Sequence, residues 1–273
     1  MGNTEYEQHI LQWRVEKYNG LVKENGWLAL AGLHWLKEGR NLIGSNPLCE
    51  VALPERGPTF LGIVTLKGKT ATFQPTDGVN VQVNGKPAGK TALKSNKDPK
   101  PSFITWDDMR MGLHEHAGKY AIRIWDNKRS ERFSLPPLKW FPVNKNFRFN
   151  ARYTKYPEPK ISVQPDTFGE SIEERMDGYV SFTFEGKKYK LDVTETKEHT
   201  LFIKFKDLTS GRESYPPSRY YYTEQVMEDG KVVLDFNYAY SPPCAFTPYA
   251  TCVYAPQQNH LPFRVEAGEI FRG

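Results

Sequence analysis

The stretch Tyr179-Val-Ser-Phe-Thr-Phe-Glu-Gly-Lys-Lys-Tyr-Lys-Leu-Asp-Val193 predicts two antiparallel strands joined by a tight turn. Apolar and polar side chains alternate along much of it, which is the period of a strand with one buried face. Glu185-Gly186 interrupts the pattern, and glycine supplies the positive φ that a short hairpin turn requires. We therefore expect strands over 179–184 and 188–193 in one antiparallel sheet.

The same kind of pattern runs through the rest of the second half. Apolar and polar residues alternate from Phe147 to Tyr153, after a proline-rich connection over 127–146. Further strands are predicted over 201–205, 219–222 and 232–236. Consecutive short strands of this kind predict a meandering antiparallel sheet that could close on itself. We assign residues 136–273 to this β-barrel-like domain.

The first half predicts a helix followed by a β-sandwich. Thr4 and Glu7 have capping-box spacing and Asn25-Gly26 is a stop signal, so a helix is expected over 4–24, within residues 1–26. The apolar run 27–36 is expected to be buried. Turn signals such as Asn84-Gly85 then recur as in a sandwich, assigned to residues 27–135. Its predicted strands are 41–44, 62–66, 70–74, 79–83, 103–106 and 119–125.

Composition and charge limit the class of protein. The net charge is +5, and basic residues are interspersed with acidic ones, so nucleic acid is not an expected partner. No stretch approaches the roughly 20 apolar residues of a membrane helix, and the first ten residues lack the pattern of a secretory signal. No membrane partner is therefore expected. The three cysteines, Cys49, Cys244 and Cys252, fit a reducing cytoplasm.

Part of the first half resembles a forkhead-associated sandwich. The similarity lies in Glu38-Gly-Arg-Asn-Leu-Ile-Gly44, Val51-Ala-Leu53 and Asn84-Gly85. Forkhead-associated domains bind phosphothreonine through an Arg just after the first Gly and through a Ser and a His further on. Here Ser45 follows Gly44, and no Ser/His pair lies around 58–61. The resemblance therefore implies a shared fold without phosphothreonine binding.

A longer motif near the C-terminal end carries a second resemblance. It reads Leu234-Asp-Phe-Asn-Tyr-Ala-Tyr-Ser-Pro-Pro-Cys-Ala-Phe-Thr-Pro-Tyr-Ala-Thr-Cys252, followed by Asn259-His-Leu-Pro262 and Glu266-Ala-Gly-Glu269. With Gly211-Arg212, Tyr215 and Arg219-Tyr-Tyr221, the chain resembles a prokaryotic family known as a domain of unknown function. This resemblance implies no established activity.

The same motif contains the residues that we expect to form a site. Asp235 and Asn237 end a strand at alternate positions and share one face. Pro242-Pro243 stiffens the loop that follows. That loop carries Cys244, Tyr249 and Cys252. A stiff loop can hold side chains for a ligand or plug the end of a barrel, and both alternatives stay open.

Arginines and a histidine could face the same end of the barrel. Arg212 or Arg219 could form a buried bridge with Asp235, or the arginines could cradle an anion. We therefore predict that a small anionic or polar molecule binds in the C-terminal domain. The predicted ligand-binding residues are Arg212, Tyr215, Arg219, Asp235, Asn237, Tyr240, Cys244, Tyr249, Cys252 and His260.

Thiol chemistry and metal binding are alternatives at the same loop. Cys244 could act as a nucleophile if His34 or His260 approached it, although free cysteines are usually small buried hydrophobes. A zinc site from Cys244, Cys252 and His260 lacks the usual Cys-x-x-Cys spacing, so no metal site is assigned.

Other histidines favour structural roles. His34 lies on the apolar run and is expected to be a hydrogen-bonded core residue. His114 and His116 share one strand face near Gly118, which favours a solvated hairpin. We assign no catalytic or binding role to His34, His114 or His116.

Motifs of well-known enzymes do not occur in the sequence. It has no Walker loop, no dinucleotide-binding glycine motif, no His-Glu-x-x-His and no Gly-x-Ser-x-Gly. Catalytic residues and cofactors therefore remain unassigned. Three functions stay open: a binding module, an enzyme that uses Cys244, His260 or Asp235 in the same pocket, and a structural or protein-interaction module. A lowered thiol pKa would favour the enzyme.

Overall fold

Strands and turns make up most of the chain, which a computed structural model describes over residues 3–271. The chain divides into two compact units. The sandwich unit comprises Asn19–Leu135, and the barrel unit comprises Met1–Tyr18 with Pro136–Gly273. The domain bounds expected from the sequence, 1–26, 27–135 and 136–273, stay predictions about which segments fold independently.

The N-terminal helix, α1, spans Asn3–Val22, close to the predicted 4–24. Tyr6 and Ile10 lie one turn apart, so they share a face, and both are buried. The helix has ended when Asn25 adopts a left-handed φ of 54°. That conformation is typical of the residue just past a helix end, which explains the stop at Asn25-Gly26.

Short strands account for most of the sandwich unit. They are β1 Leu30–Trp35, β2 Gly39–Gly44, β3 Val51–Ala52, β4 Gly62–Lys67, β5 Thr70–Pro75, β6 Gln82–Val83, β7 Lys86–Pro87, β8 Thr91–Leu93, β9 Phe103–Trp106, β10 Met109–His116 and β11 Lys119–Asp126. A single 3-10 turn, Trp27–Ala29, precedes β1, and a short helix, α2 Glu131–Ser134, follows β11.

Two sheets enclose one hydrophobic core in this unit. One sheet has the order β1-β11-β10-β9-β6-β7, and the other has the order β3-β2-β4-β5-β8. The core combines Val64 and Phe73 from the second sheet with Met111 and Ile122 from the first. This arrangement confirms the predicted sandwich.

Five strands of the sandwich unit, β1, β3, β7, β8 and β10, were not predicted from the sequence, and two of them, β1 and β10, are long. Part of the apolar run 27–36 becomes β1, which pairs with β11. β10 lies between β9 and β11, so its residues are covered by neighbours. β10 and β11 form the expected hairpin through Ala117-Gly118, but His114 is buried, so the expectation that it is solvated is wrong. Burial and the charge of Arg123 lower the pKa of His114 to about 3. His34 is half-buried and hydrogen bonds to the backbone of Ala52.

Longer strands and short turns build the barrel unit. The strands are β12 Lys139–Trp140, β13 Arg148–Pro165, β14 Ser171–Phe184, β15 Lys187–Glu195, β16 Thr200–Phe205, β17 Arg219–Gln225, β18 Lys231–Asp235 and β19 Glu269–Ile270. Single 3-10 turns lie at Lys145–Phe147, Phe236–Tyr238, Pro243–Ala245 and Gln257–Asn259.

A nearly closed antiparallel sheet dominates this unit, with the order β17-β16-β15-β14-β13-β18. Glu185 and Gly186 both have positive φ, 48° and 75°, which confirms the predicted hairpin turn. The Tyr221 hydroxyl connects the two edge strands. It accepts the Asp235 backbone N–H at 3.0 Å and donates to the Val233 carbonyl at 3.3 Å. The mainly β fold class with an N-terminal helix is thus confirmed.

Aromatic side chains fill the interior of the barrel. The ring of Phe236 lies 4.9 Å from that of Phe205 and 5.9 Å from that of Phe182. The long helix of the chain is α1. Across residues 3–271, no helix has both the length and the apolar character that a membrane crossing would need.

Candidate functional site

Asp235 and Asn237 form a buried hydrogen-bond network with helix α1. One carboxylate oxygen of Asp235 accepts the Tyr6 hydroxyl at 2.7 Å. The other accepts the backbone N–H of Asn237 at 3.0 Å and its side-chain amide at 2.8 Å. Burial raises the pKa of Tyr6, and the hydrogen bond to Asp235 raises it further, so Tyr6 stays a donor. The network holds α1 on the barrel.

Arg219 is fully buried and has its own partner, Asp207. The guanidinium lies 3.0 Å from the Asp207 carboxylate and donates to the carbonyls of Val265, at 2.9 Å, and Ala267. The bridge expected between Arg219 and Asp235 is therefore wrong. A buried guanidinium needs acceptors for its donors, and Asp207 with the carbonyls of Val265 and Ala267 supplies them for the two terminal nitrogens, whereas Nε has no acceptor among the described residues.

Arg212 lies on an exposed turn, where its backbone N–H donates to the Thr209 carbonyl. It is exposed while Arg219 is enclosed, so the expected cradle of two arginines does not form among the described residues. A binding site in this unit must use other cations.

A cluster of two thiols and two phenols surrounds the signature loop. We call Tyr215, Tyr220, Cys244 and Cys252 the thiol–phenol cluster. Cys244 follows Pro242-Pro243, and its backbone N–H donates to the Cys252 sulfur at 3.2 Å. Both cysteines are free thiols; Cys252 is buried and Cys244 half-buried, as the sequence predicted. The Tyr220 hydroxyl donates to the Val253 carbonyl at 2.8 Å.

Hydrogen bonding makes the two thiols unequal. The bond from the Cys252 thiol lowers the pKa of Cys244, and the Tyr215 hydroxyl lowers it further, against the opposing effect of burial. The contact with Cys244 and burial both raise the pKa of Cys252. Because the two thiols interact, they lose their protons in turn, and the first proton lost leaves a thiolate at Cys244. The lowered thiol pKa that would favour the enzyme alternative is therefore found at Cys244.

A buried ion pair lies near Cys252. Lys204 is almost fully buried and pairs with Glu174. Burial lowers the pKa of Lys204, whereas Glu174 and the negative charge of a Cys252 thiolate would raise it. Glu174 balances the charge of Lys204, so the pair brings no net charge to the surroundings of the thiols.

A pocket of about 380 Å³ opens beside this cluster, and we call it the basic pocket. Its lining is Gln164, Pro165, Lys206, Pro216, Pro217, Tyr254, Ala255, Gln257 and His260. The chain brings Lys206 and His260 together through a parallel bridge between their backbones. Burial lowers the pKa of His260, and the charge of Lys206 lowers it further. The lining contains no carboxylate, so its formal charge is positive.

The basic pocket and the thiol–phenol cluster are neighbours. Pro216 and Pro217 line the pocket and directly follow Tyr215 in the chain. Burial raises the pKa of Tyr254, and the charges of Cys244 and of Cys252 add to that effect. Of the predicted site residues, the structure thus brings Tyr215, Cys244, Cys252 and His260 to one region.

Tyr240 contacts the thiol–phenol cluster through Tyr220: their backbones hydrogen bond in both directions, at 2.8 and 3.0 Å, and their ring centres lie 6.2 Å apart. Tyr240 also contacts helix α1. The Lys17 amine lies 3.3 Å from the centre of the Tyr240 ring. Burial lowers the pKa of Lys17 to about 8, and burial raises the pKa of nearby Glu269 to about 7. Tyr249 is half-buried on the signature loop, where its backbone N–H donates to the Thr247 hydroxyl.

The position that binds phosphothreonine in forkhead-associated domains has another use here. The Ser45 hydroxyl donates to the Gly57 carbonyl at 2.9 Å. At Gly44, a Cβ atom would lie only 2.1 Å from the Thr59 carbonyl oxygen, so the backbones meet too closely for any side chain. The chain at Gly44 and Ser45 therefore packs against the backbone of residues 57–59.

Sequence reasoning missed several charged residues that the structure places at or near the site. Lys204 lies within β16 and is buried, whereas Lys206 follows the last residue of that strand and lines the pocket. An alternating Lys-Phe-Lys at a strand end was the only local signal. No group of three or more metal-ligating side chains occurs within residues 3–271.

Comparisons with known proteins give a family and structural relatives. The model of the family described as a protein of unknown function (DUF1684) matches residues 133–270. A solution structure of an uncharacterised protein of Haloarcula marismortui is 31% identical, with a TM-score of 0.42, covering 51% of this chain and 78% of that one.

Forkhead-associated domains also occur among the similar structures. The domain of FhaA, solved in complex with the intracellular domain of Rv3910, is 17% identical over 34% of this chain and 96% of that one, with a TM-score of 0.24. The domain of Rv0020c has the same identity, TM-score and share of this chain, and 88% of that chain is covered. None of the curated proteins matches this chain.

Proposed function

We propose, from the premise that this chain belongs to the DUF1684 family of proteins of unknown function, that its barrel unit binds a small anionic molecule in the basic pocket. One observation carries the proposal: Lys206 and His260 line a cavity of about 380 Å³ whose lining has no carboxylate. An anion would find the positive charge of Lys206 there and no carboxylate in the lining.

The chemistry of the lining favours a compact ligand with a charged end. Gln164, Gln257 and Tyr254 offer neutral hydrogen-bond donors around the cation, while prolines provide apolar walls. A few polar groups set in an otherwise apolar cavity are typical of small-molecule sites. A carboxylate or phosphate-bearing metabolite matches this lining, and the three free cysteines suit a reducing cytoplasm as its compartment.

His260 makes the binding sensitive to pH. In the free protein, burial and Lys206 hold its pKa below 6.5. A bound anion would favour the charged imidazolium, so binding takes up a proton. Affinity should therefore rise as the pH falls through the pKa of His260 in the complex and level off once His260 is protonated in the free protein as well.

The enzyme alternative loses one of its three residues. Both oxygens of Asp235 accept hydrogen bonds from Tyr6 and Asn237, in a network that supports α1. An acid–base role for Asp235 would break that network. The alternative of a structural module is left as an outcome of the binding test.

Titration calorimetry and thermal shift with sulfate, phosphate and succinate test the proposal. At about 100 times its dissociation constant, a ligand should add about 2.7 kcal/mol to the unfolding free energy. Lys206→Met should weaken binding about tenfold or more, because it removes a charge-assisted contact. Lys197→Met removes an equally positive but exposed side chain outside the pocket and is the matched control.

Sulfate separates the pH effect from titration of the ligand, because its charge is constant near neutrality. His260→Gln should abolish the gain in sulfate affinity on acidification and leave the Lys206 effect in place. If no anion stabilises the protein, or if Lys197→Met and Lys206→Met weaken binding equally, the pocket is not an anion site. We would then favour the alternative of a structural or protein-interaction module.

A further inference from the structure

Two cysteine sulfurs are held together on the signature loop without a bond between them. The Cys252 sulfur accepts the backbone N–H of Cys244 at 3.2 Å, which places the two cysteine side chains next to each other. Thr167 fixes the far end of the loop, since its hydroxyl accepts the Cys252 N–H at 3.2 Å and donates to the Ala250 carbonyl at 2.7 Å. Pro242-Pro243 stiffens the near end.

The two thiols differ in ways that suit a reacting and a resolving cysteine. Cys244 is half-buried and Cys252 is buried, so a reagent from solvent meets Cys244 first. The Tyr215 hydroxyl donates to Cys244, which adds thiolate character at the exposed position. The third cysteine, Cys49, is buried in the sandwich unit with no thiol partner, and burial raises its pKa.

We propose that Cys244 is a hydroperoxide-reactive thiol and that Cys252 resolves it to an intramolecular disulfide. This goes beyond anion binding and does not depend on it. The Cys244 sulfur attacks one oxygen of a small hydroperoxide ROOH, the O–O bond breaks, and the leaving RO⁻ takes the thiol proton to give ROH. Cys244 is then a sulfenic acid.

The second step uses the neighbouring thiol. The Cys252 sulfur attacks the Cys244 sulfur, the S–OH bond breaks, and the hydroxide leaves as water with the proton of Cys252. In total, two thiols lose two hydrogens, and the hydroperoxide is reduced to one alcohol and one water. Any thiol reductant restores the starting state.

Peptide mapping of the whole protein after brief treatment with hydrogen peroxide tests the proposal. We expect one cross-link, between the peptides that contain Cys244 and Cys252, with a mass lower by two hydrogen atoms and reversed by dithiothreitol. Cys49 should stay reduced over the same time. The proposal is overturned if no cross-link forms with peroxide at up to an equimolar amount. It is also overturned if Cys49 is oxidised at the same rate as Cys244.

Variants assign the two roles. Cys252→Ser should stop at a sulfenic acid on Cys244 that dimedone traps, whereas Cys244→Ser should show no reaction at Cys252 faster than at Cys49. Tyr215→Phe removes a hydrogen bond to the thiolate and should slow wild-type cross-linking several-fold at neutral pH, moving its pH midpoint upward. This variant keeps both cysteines, so it tests the proposal even if a serine variant fails to fold. An unchanged rate and midpoint in Tyr215→Phe would contradict the assigned activation.

Discussion

The Arg219–Asp207 pair offers the sharpest test of how the barrel unit is held together. Replacing Arg219 by Met keeps a long side chain but removes the ion pair at 3.0 Å and the hydrogen bonds to the carbonyls of Val265 and Ala267. Asp207 would then be a buried carboxylate without its counter-charge. Breaking one side of a buried pair typically costs about 3–5 kcal/mol.

Removing the charge of Asp207 as well should restore part of the unfolding free energy that Arg219→Met loses. Asp207→Asn on its own leaves the guanidinium without a counter-charge, whereas in the double variant neither charge remains. The double variant should therefore be less destabilised than the sum of the two single variants. The Asp207 carboxylate also accepts the Val265 N–H at 2.7 Å, so part of the cost persists in the double variant.

Urea unfolding followed by circular dichroism measures these free energies. Arg212→Met removes an exposed arginine of the same unit and should change the unfolding free energy by at most about 0.5 kcal/mol. The reasoning is refuted if Arg219→Met costs no more than Arg212→Met, or if the two single variants are strictly additive. Either result would mean that Arg219 and Asp207 do not interact energetically.

Three further predictions concern other parts of the molecule. Burial raises the pKa of Glu269 from 4.5 to about 7, so the folded state holds this proton more tightly than the unfolded state. The protein should therefore lose unfolding free energy, on the order of 3 kcal/mol, as the pH rises from 4.5 to 7. Glu269→Gln should remove this pH dependence from thermal unfolding curves measured across the range. Tyr6→Phe removes the hydroxyl that donates to Asp235 and should lower the unfolding free energy by about 1.5–3 kcal/mol in urea titrations, while an unchanged midpoint would show that the network is not stabilising. Wild-type protein should not bind a phosphothreonine peptide library, and Ser45→Arg should not restore binding because the Ser/His pair is absent; micromolar binding in fluorescence anisotropy would contradict this.

Thiol chemistry and anion binding are separate properties of neighbouring places. Failure of anion binding would leave the disulfide experiment untouched, because cross-linking needs only Cys244, Cys252 and a hydroperoxide. Failure of cross-linking would likewise leave the charge of Lys206 and His260 in the basic pocket. The two experiments therefore distinguish a binding module from a peroxide-reactive protein.

The sequence by itself determined the local structure, because local structure depends on neighbours in the chain. Alternation around Glu185-Gly186 and the left-handed stop at Asn25 were sufficient for a hairpin and a helix end. Where burial covers both faces of a strand, as in β10, the alternation disappears, so the sequence could not place the buried His114.

Only the tertiary structure decided which charges meet. Asp207 and Asp235 lie at similar distances from Arg219 in the sequence, so sequence separation could not choose between them, and the barrel places Arg219 against Asp207 and the backbone of 265–267. Lys206 comes to lie beside His260 through a bridge between segments more than fifty residues apart, which no local pattern encodes. Partner choice depends on the relative placement of distant strands, and that placement is set by burial of the whole core rather than by the charged residues themselves.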